Sequence, residues 1–345
     1  MSNFVLLTKS VKMKKIIYIS IWVLLVVSCK SSKLSVVESD LTNPYNPIPK
    51  MELLKKAKGS KIKNMHFLVF GDSKGSPFFK DVIKRADILQ PDFCITTADL
   101  VNVGGGERGK VDYEKLDKAG GWFMRKYPMW PTVGNHEEYG GGDALDNFSN
   151  FFGIKKAMYA FEYGNAKFIA LPWKKIKNDV EKLNWLENEL KSAKGKHIFV
   201  FKHRPHYDVG SKKYSDVEGT ETATTKLYDK YNVTAVFSGH DHIYYRTKRN
   251  TTNYIISAGA GATIYPLKRE KDAVEGDVYY GKRIKKERKK GIAPYKFVDS
   301  KGTVTNIPKA MYYVFSVKIT DKTIAVEMIE ALTGKVWDNA VIDNK

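Results

Sequence analysis

The chain has 345 residues, enough for one large α/β domain or two small domains with a substantial core. Its composition is that of a globular protein, and its two cysteines, Cys29 and Cys94, argue against a disulfide framework. Lysine and arginine exceed aspartate and glutamate by 58 to 38, a net charge of +20. That excess favours phosphate esters, acidic lipid surfaces or nucleic acid as partners, although solubility alone would also account for it.

The first residues have the pattern of a secretory signal. Met13-Lys-Lys precedes a mostly apolar run, residues 16–27, which is too short to span a bilayer comfortably. Val26-Val-Ser-Cys29 resembles the lipobox of bacterial lipoproteins. That resemblance implies cleavage before Cys29, lipidation of its thiol, and export to the periplasmic or cell-surface face of a bacterial membrane. Met13 is then the expected start, with residues 1–12 an upstream misannotation. An ordinary signal peptide or a short membrane anchor is the alternative.

A tether is predicted between the lipidated cysteine and the folded domain. Residues 30–60 are polar and contain the proline-bearing run Asn43-Pro-Tyr-Asn-Pro-Ile-Pro49. Loss of residues 1–28 would remove four lysines and no acid, which leaves a net charge of +16. We therefore expect residues 29–60 to be an anchor and tether, and residues 61–345 to form one basic domain.

Acidic residues follow the first two predicted strands. His66-Phe-Leu-Val-Phe70 predicts a buried strand that runs into Asp72, and residues 92–96 predict a second one that runs into Asp99. The apolar spacing over residues 79–86 predicts a helix between them. A strand, helix and strand with acids at both strand ends indicate a parallel sheet whose carboxyl edge carries a site.

The later predicted strands also deliver polar side chains. Short strands at residues 129–133, 197–201 and 233–237 run into Asn135, His203 and the pair His240 and His242. Further predictions are a hairpin (158–163 and 167–171), helices (180–193 and 222–231) and a strand (253–257). Residues 266–308 are predicted to be a basic insertion, as a solvated loop or an exposed helix face. Strands at residues 312–320 and 323–329 are expected to finish a second sheet.

Six side chains that can bind metals therefore follow predicted strands. One aspartate after a strand is usually a cap, and one histidine near a core is usually a satisfied polar group. Six of them together predict a metal site instead. A mixture of carboxylate, amide and imidazole donors suits Zn, Mn or Fe better than Ca. The six are Asp72, Asp99, Asn135, His203, His240 and His242.

Two segments carry a resemblance to a known family. Gly134-Asn-His-Glu137 and Gly239-His-Asp-His-Ile-Tyr244, together with the aspartates before them, resemble the calcineurin-like metallophosphoesterase superfamily, and most closely its purple acid phosphatase-like branch. The resemblance covers roughly residues 65–262. It implies an α/β fold, a four-layer αββα sandwich of two mixed β-sheets, with a two-metal site at the sheet edges.

The resemblance also assigns roles. Asp72 and His242 would hold one metal, Asn135, His203 and His240 the other, and Asp99 would bridge them. Two cations about 3.5–4 Å apart offset charge on phosphoryl oxygens and produce a metal-bound hydroxide that attacks phosphorus. His136 would stabilise the transition state or protonate the leaving oxygen, or alternatively orient a ligand.

The sequence departs from the family pattern in the first block. Lys74 stands where many members have a ligating histidine, and a protonated amine has no lone pair to donate. The first of the two metals is therefore expected to bind weakly, to take extra water or to be missing. Lys74 is expected to bind a substrate phosphate instead, unless it is only a surface lysine. His206 is a second substrate-binding candidate, unless it merely packs in its loop.

The predicted function is metal-dependent hydrolysis of phosphomonoesters by a lipid-anchored protein. Its expected partners are a small phosphate ester and, through the anchor, a membrane, and no nucleic-acid partner is expected. Two alternatives remain open. One is a phosphodiesterase or nucleotide hydrolase on the same fold, and the other is a surface lipoprotein that binds anions or glycans without catalysis.

Overall fold

A computed structural model describes residues 39–59, 62–174, 176, 178–210, 222–288 and 291–342. The chain divides into two units, Met1–Lys33 and Leu34–Lys345, and every described residue belongs to the second. The predicted signal and the lipidation site Cys29 thus lie outside the described residues. Within the described ranges, no helix is long and apolar enough to cross a membrane.

The described chain contains seven α-helices and fifteen β-strands. The helices are α1 (Pro47–Lys58), α2 (Phe79–Ile88), α3 (Gly106–Lys126), α4 (Asn135–Glu138), α5 (Ala144–Phe152), α6 (Val180–Ser192) and α7 (Ala223–Lys230). The strands are β1 (Met65–Phe70), β2 (Phe93–Thr96), β3 (Met129–Trp130), β4 (Tyr159–Tyr163), β5 (Ala166–Ala170), β6 (His197–Phe201), β7 (Ala235–Ser238), β8 (Tyr244–Arg249), β9 (Thr252–Ser257), β10 (Val278–Lys282), β11 (Tyr295–Val298), β12 (Val304–Ile307), β13 (Tyr313–Ile319), β14 (Ile324–Glu330) and β15 (Val336–Ile342).

The strands form two mixed sheets. The six-stranded sheet has the order β15-β14-β13-β1-β2-β3, in which β1, β2 and β3 are parallel and the other strands pair antiparallel. The nine-stranded sheet has the order β12-β11-β10-β8-β9-β7-β6-β5-β4, with β5, β6, β7 and β9 parallel. In each sheet the parallel strands sit beside one another, so their carboxyl ends form one continuous edge.

The two sheets pack face to face through aromatic side chains. The ring of Phe67 on β1 lies 5.1 Å from that of Phe168 and 5.2 Å from that of Phe199, both in the other sheet. Alternate residues of β1 point the other way, and Leu68 packs with residues of α2 and α3. Helices α6 and α7 cover the outer face of the nine-stranded sheet. The predicted four-layer αββα sandwich is confirmed.

The tether prediction is wrong for residues 39–58. Helix α1 forms there, capped by Asn46, whose side chain accepts a hydrogen bond from the N–H of Ile48. Met51 on this helix is only 2% exposed and joins the core between the sheets. Prolines in this segment initiate the helix, because a proline in the first turn has no amide whose bond would be lost. The tether remains a prediction only for residues 30–38, which lie outside the described ranges.

Two predictions about the C-terminal third are also wrong. The closing strands β13 and β14 do not finish a second sheet, because β13 pairs with β1 in the sheet that starts the domain. The basic insertion, residues 266–308, is not only a loop or helix face, since β10, β11 and β12 extend the nine-stranded sheet. In β10 the buried Val278 and Tyr280 alternate with the partly exposed Tyr279, as in an antiparallel strand with one face on the core.

Candidate metal centre

The six predicted donors come from loops at the carboxyl ends of the parallel strands. Asp72 follows β1, Asp99 follows β2, and Asn135 is the first residue of α4, just after β3. His203 follows β6, and the segment after β7 carries His240 and His242. Because the two sheets pack face to face, their carboxyl edges meet and these loops come together.

Several of these loops have a strained backbone. Asp72, Ala98, Asp99 and His240 have φ angles of 61°, 69°, 51° and 71°, in the left-handed region that non-glycine residues rarely adopt. Such residues cost on the order of 1–3 kcal/mol each and cluster at functional sites. Ala98 shows that a side chain is tolerated at this left-handed position. The strain turns the donors inward instead of along their strands.

Four of the donors form one tight cluster. The Asn135 amide oxygen lies 3.1 Å from Nε2 of His203 and 2.9 Å from Nδ1 of His240, and these two nitrogens are 3.1 Å apart. Oδ1 of Asp99 lies 3.2 Å from Nε2 of His203. Asp99, His203 and His240 each offer an atom within 4.8 Å of the others, a spacing that suits one ion.

Asp72 and His242 form a second group of donors. Nε2 of His242 lies 3.3 Å from Oδ1 of Asp72, and both side chains are at most 3% exposed. The Asp72 carboxylate also accepts the backbone N–H of His240, 3.0 Å from Oδ2. The ring of Tyr265 stacks on His242 with 4.0 Å between ring centres, which holds the imidazole in place.

Backbone carbonyls orient three of the imidazoles. Nδ1–H of His203 donates to the carbonyl of Thr97 (2.7 Å), and Nδ1–H of His242 donates to that of Thr263 (2.8 Å). Nδ1–H of His136 donates to the carbonyl of Asn102 (2.6 Å). When Nδ1 carries the proton, Nε2 keeps its lone pair and faces the site. The arrangement prepares His203 and His242 as ligands and leaves Nε2 of His136 available for chemistry.

The charges of the cluster couple Asp99 to His203. Burial lowers the pKa of His203, but the carboxylate of Asp99 outweighs it and raises that pKa to about 9. Burial opposes ionisation of Asp99, yet His203, His136 and Lys74 together hold the Asp99 pKa well below its usual value. Burial and the charge of His203 lower the pKa of His240 to about 2. His203 must therefore release a proton before it can bind a metal ion.

Glu137 organises the loops beneath the cluster. Its carboxylate accepts the backbone N–H groups of Gly134, Asp99 and Leu100 at 2.8, 2.9 and 2.8 Å, and the residue is only 1% exposed. Burial, with a further contribution from Asp99, raises the pKa of Glu137 to about 7. One side chain thus ties the loop after β2 to the start of α4.

Lys74 and His136 both face Oδ2 of Asp99. Nζ of Lys74 lies 3.6 Å from this oxygen and Nε2 of His136 lies 3.8 Å from it. Oδ2 itself is buried and makes no hydrogen bond among the described residues. The two side chains are 18% and 23% exposed, so both reach the solvent side of the cluster. A negatively charged group placed there would meet a lysine and an imidazole.

The placement of His206 does not support its predicted role in substrate binding. The residue is only 2% exposed and its ring packs edge-on against Tyr228 and Tyr254, 5.5 and 6.0 Å away. Burial, followed by the charge of Lys202, lowers the pKa of His206 well below the usual histidine value. It lies three positions after His203, and the loop turns its ring against Tyr228 of α7.

Sequence reasoning missed a cation beside the site. The guanidinium of Arg204 lies over the ring of Trp173, 4.9 Å from its centre, and its charge contributes to the low pKa of His240. The only sequence signal is that Arg204 directly follows His203. Nothing in the pattern around Trp173 predicts the pairing.

The donor set fits a transition metal. Asn135, His203, His240 and Asp99 supply two nitrogens and two oxygens, which is a mixture typical of Zn, Mn or Fe sites. The buried Oδ2 of Asp99 and the buried Nε2 of His242 make no hydrogen bond among the described residues, as expected of atoms reserved for a cation. The fit is poorer beside Asp72 and His242, because the neighbouring Lys74 cannot act as a ligand.

Comparisons with known proteins agree with this site. The family model described as calcineurin-like phosphoesterase matches residues 65–244, more than half of the chain. Human tartrate-resistant acid phosphatase type 5 is 23% identical over 256 residues, which are 61% of this chain and 77% of that protein.

Two solved structures show the same fold at low identity. A purple acid phosphatase from yellow lupin superposes with a TM-score of 0.60 and 15% identity over 82% of this chain and 54% of the lupin chain. This chain therefore spans about half the length of the lupin protein. An anchor protein of the inner membrane complex of Plasmodium gives a TM-score of 0.57 and 14% identity, over 82% of this chain and 90% of that chain.

The family match ends at residue 244 and so includes every donor, from Asp72 after β1 to His242 after β7. The side chains on which the resemblance rests are the ones that the fold brings into contact. The chain belongs to the calcineurin-like phosphoesterase family and is a metal-dependent hydrolase of phosphate esters.

Proposed function

We propose that this protein hydrolyses phosphomonoesters while anchored to a bacterial membrane by a lipid on Cys29. The observation that carries the hydrolase part is the cluster of Asp99, Asn135, His203 and His240, with Lys74 and His136 beside Asp99. The preference for monoesters is supported by two similar proteins, the human acid phosphatase and the lupin purple acid phosphatase.

The residues around Asp99 suit the binding of a phosphate. Metal ions held by the cluster would offset the charge on the phosphoryl oxygens and lower the pKa of a bound water. Lys74 would place an ammonium against the same phosphate, from a position that is 18% exposed. The burial of the surrounding carboxylates strengthens these attractions, because little water screens them.

His136 is in position to supply a proton to the leaving group. Its Nδ1–H donates to the carbonyl of Asn102 and its Nε2 faces the space beside Asp99, so His136 would act as the acid in its imidazolium form, with the transferable proton on Nε2. In hydrolysis the bond between phosphorus and the ester oxygen breaks, and that oxygen needs a proton to leave as an alcohol. Proton transfer by a positioned side chain contributes roughly 10²–10⁴-fold to such reactions.

The test compares a chromogenic monoester with its diester. The full-length protein in detergent is loaded with Mn, Zn or Fe and given p-nitrophenyl phosphate or bis-p-nitrophenyl phosphate, beside an Asn135→Ala variant. We expect faster turnover of the monoester, dependent on metal and lost in the variant. Faster turnover of the diester would favour a phosphodiesterase instead.

Absence of turnover with every metal would favour the non-catalytic alternative. That alternative has one observation in its support, since Lys74 stands where a metal ligand is expected. Retention of metal binding without turnover would identify an anion-binding surface protein.

The lipid anchor needs its own test, since residues 1–38 lie outside the described ranges. Expression in bacteria fed a labelled fatty acid should label the protein and place it in the membrane fraction. Cys29→Ser should abolish both the label and the membrane location. Label that survives in the variant would contradict lipidation at Cys29.

A further inference from the structure

The two groups of donors differ in number. Asn135, His203 and His240 surround one position together with Oδ1 of Asp99. The donor atoms of the first three lie 2.9–3.1 Å from one another, and Oδ1 of Asp99 lies 3.2 Å from Nε2 of His203. Four protein ligands are enough to hold a transition-metal ion, and a shell of five or six ligands would still leave places for water. This position needs nothing else from the protein to hold a cation.

Among the described residues, the other position has two donors of its own. Asp72 and His242 lie 3.3 Å apart, and the Asp72 carboxylate is already engaged by the backbone N–H of His240, 3.2 and 3.0 Å from its two oxygens. The shared Asp99 can contribute Oδ2 as a third donor. No other ligand atom is supplied from the loop after β1, where residue 74 is a lysine.

Lys74 is held at this position by backbone and side chain alike. Its N–H donates to the backbone carbonyl of Asp99 (3.0 Å) and its φ angle of 47° turns the chain back toward the cluster. Its ammonium then lies 3.6 Å from Oδ2 of Asp99. An ammonium on that oxygen repels a second cation and already offsets the carboxylate charge that would attract one.

We propose that this protein binds one transition-metal ion per chain, in the shell of Asp99, Asn135, His203 and His240, and that the ammonium of Lys74 supplies the second positive charge beside Asp72 and His242. The proposal deepens the proposed function. It rests on that function in one respect, which is that this cluster binds a metal. It assigns to a side chain the role of cation that a second metal would otherwise have.

The metal content of purified protein tests the proposal without measuring catalysis. Full-length protein in detergent is loaded with Mn, Zn or Fe, passed through gel filtration and analysed by mass spectrometry for metal per chain. Lys74→His is compared with wild type, and histidine fits the left-handed backbone at this position better than most residues. Lys80→His, the same change at an exposed lysine of α2, is the matched control.

We expect one metal per chain in the wild type and in the Lys80→His control, and two in Lys74→His. Two equally retained metals in the wild type would overturn the proposal, and so would the absence of any bound metal. A count that stays at one metal per chain in Lys74→His would also overturn it. If Lys74→His does not fold, the electron paramagnetic resonance spectrum of Mn-loaded wild type decides. Isolated Mn ions support a single site, whereas an exchange-coupled pair contradicts it. Because turnover is not measured, a failed phosphatase assay leaves this result unaffected.

Discussion

The two sheets contribute different chemistry to the site. The six-stranded sheet supplies the oxygen donors Asp72, Asp99 and Asn135, and the nine-stranded sheet supplies the nitrogen donors His203, His240 and His242. The cluster around Asp99 draws on both sets, since Asp99 and Asn135 come from the first sheet and His203 and His240 from the second. This mixed set of donors forms only when the sheets are packed together.

The two sides also depend on each other for orientation. The donors from the six-stranded sheet form the oxygen side of the site, and those from the nine-stranded sheet form the nitrogen side. Nδ1–H of His203 donates to the carbonyl of Thr97, which belongs to the oxygen side. The carboxylate of Asp72, also on the oxygen side, accepts the backbone N–H of His240. The contact that sets the tautomer of His203 thus crosses between the sheets. Metal affinity is therefore a measure of how well the two sheets are docked, and variants on either side should lower it.

Removing the charge shared by the two sides should have the largest effect. Asp99→Asn keeps the shape of a residue that faces Lys74, His136 and His203 but removes its charge. We expect loss of bound metal and a fall in turnover of at least 10²–10³-fold, the order of magnitude for one preorganised charged or polar group. Asp146→Asn on exposed α5 should change neither quantity. Full metal content in Asp99→Asn would show that the carboxylate is not a ligand.

A change at His136 should separate catalysis from metal binding. His136→Ala removes the ring that faces Oδ2 of Asp99 at 3.8 Å and leaves the six donors in place. We expect unchanged metal content and a loss of turnover of about 10²–10⁴-fold for alkyl phosphates, which need a proton on the leaving oxygen. The loss should be smaller for p-nitrophenyl phosphate, since nitrophenolate leaves without a proton. An equal loss for both substrates would exclude the role of acid.

A change at Glu137 should loosen the oxygen side only. Glu137→Gln replaces one carboxylate oxygen with an NH₂ group that faces a backbone N–H, and three N–H groups now share a single good acceptor. We expect metal affinity or turnover to fall by roughly 10–100-fold, as for other residues that orient ligands. Titration with Zn, followed by turnover, measures both. Unchanged values would show that the loop after β2 holds its shape without this carboxylate.

Metal removal should lower stability by a smaller amount. An ion present at 100 times its dissociation constant stabilises the folded state by about 2.7 kcal/mol. At roughly 2–4 °C per kcal/mol, this corresponds to a fall in Tm of about 5–10 °C on chelation. Differential scanning calorimetry with and without chelator measures it. The Asn135→Ala variant should show little shift, and an equal shift there would mean that the ion binds elsewhere.

The strand ends were predictable from the sequence because their signals are local. Each of the runs before Asp72, Asp99, His203 and His240 is a short apolar segment that stops at a polar residue, and parallel strands place such residues on one edge. The motif around Asn135 adds a recognisable spacing. The donors were therefore named from sequence, and the structure brings all six together.

Other features depend on contacts that local patterns do not encode. The long helix α3 contains four glycines after the loop that starts it, and propensity argues against a helix there. Gly120 has a structural reason, because a Cβ at this position would lie 3.2 Å from the ring of Phe79 on α2. The pairing of β13 with β1 joins segments about 250 residues apart, which no window of sequence can show. The contact between Lys74 and Asp99 likewise arises only from the packing of two loops.

A change at His206 should have the smallest effect on turnover, and it tests whether the site extends beyond His203 along the same loop. It shares a loop with His203, yet its ring lies between Tyr228 and Tyr254, and its two ring nitrogens make no hydrogen bond among the described residues. His206→Leu should leave turnover and metal content within about twofold, because it removes no ligand and an apolar residue avoids the cost of burying a polar group without hydrogen bonds. A tenfold loss of turnover would instead place His206 against the substrate.

The same variant should change how stability depends on pH. The pKa of His206 is held well below its usual value in the folded protein, by burial and then by Lys202, while in the unfolded chain it returns to about 6.5. Below pH 6.5 the unfolded chain therefore binds a proton that the folded protein does not, and wild-type stability falls as the pH falls. The slope from this one group is about 1.4 kcal/mol per pH unit. His206→Leu lacks the group, so its free energy of unfolding should rise relative to wild type as the pH falls from 6.5 to 5. Urea unfolding at several pH values measures the difference, and parallel pH profiles for the two proteins would show that His206 titrates normally in the folded state.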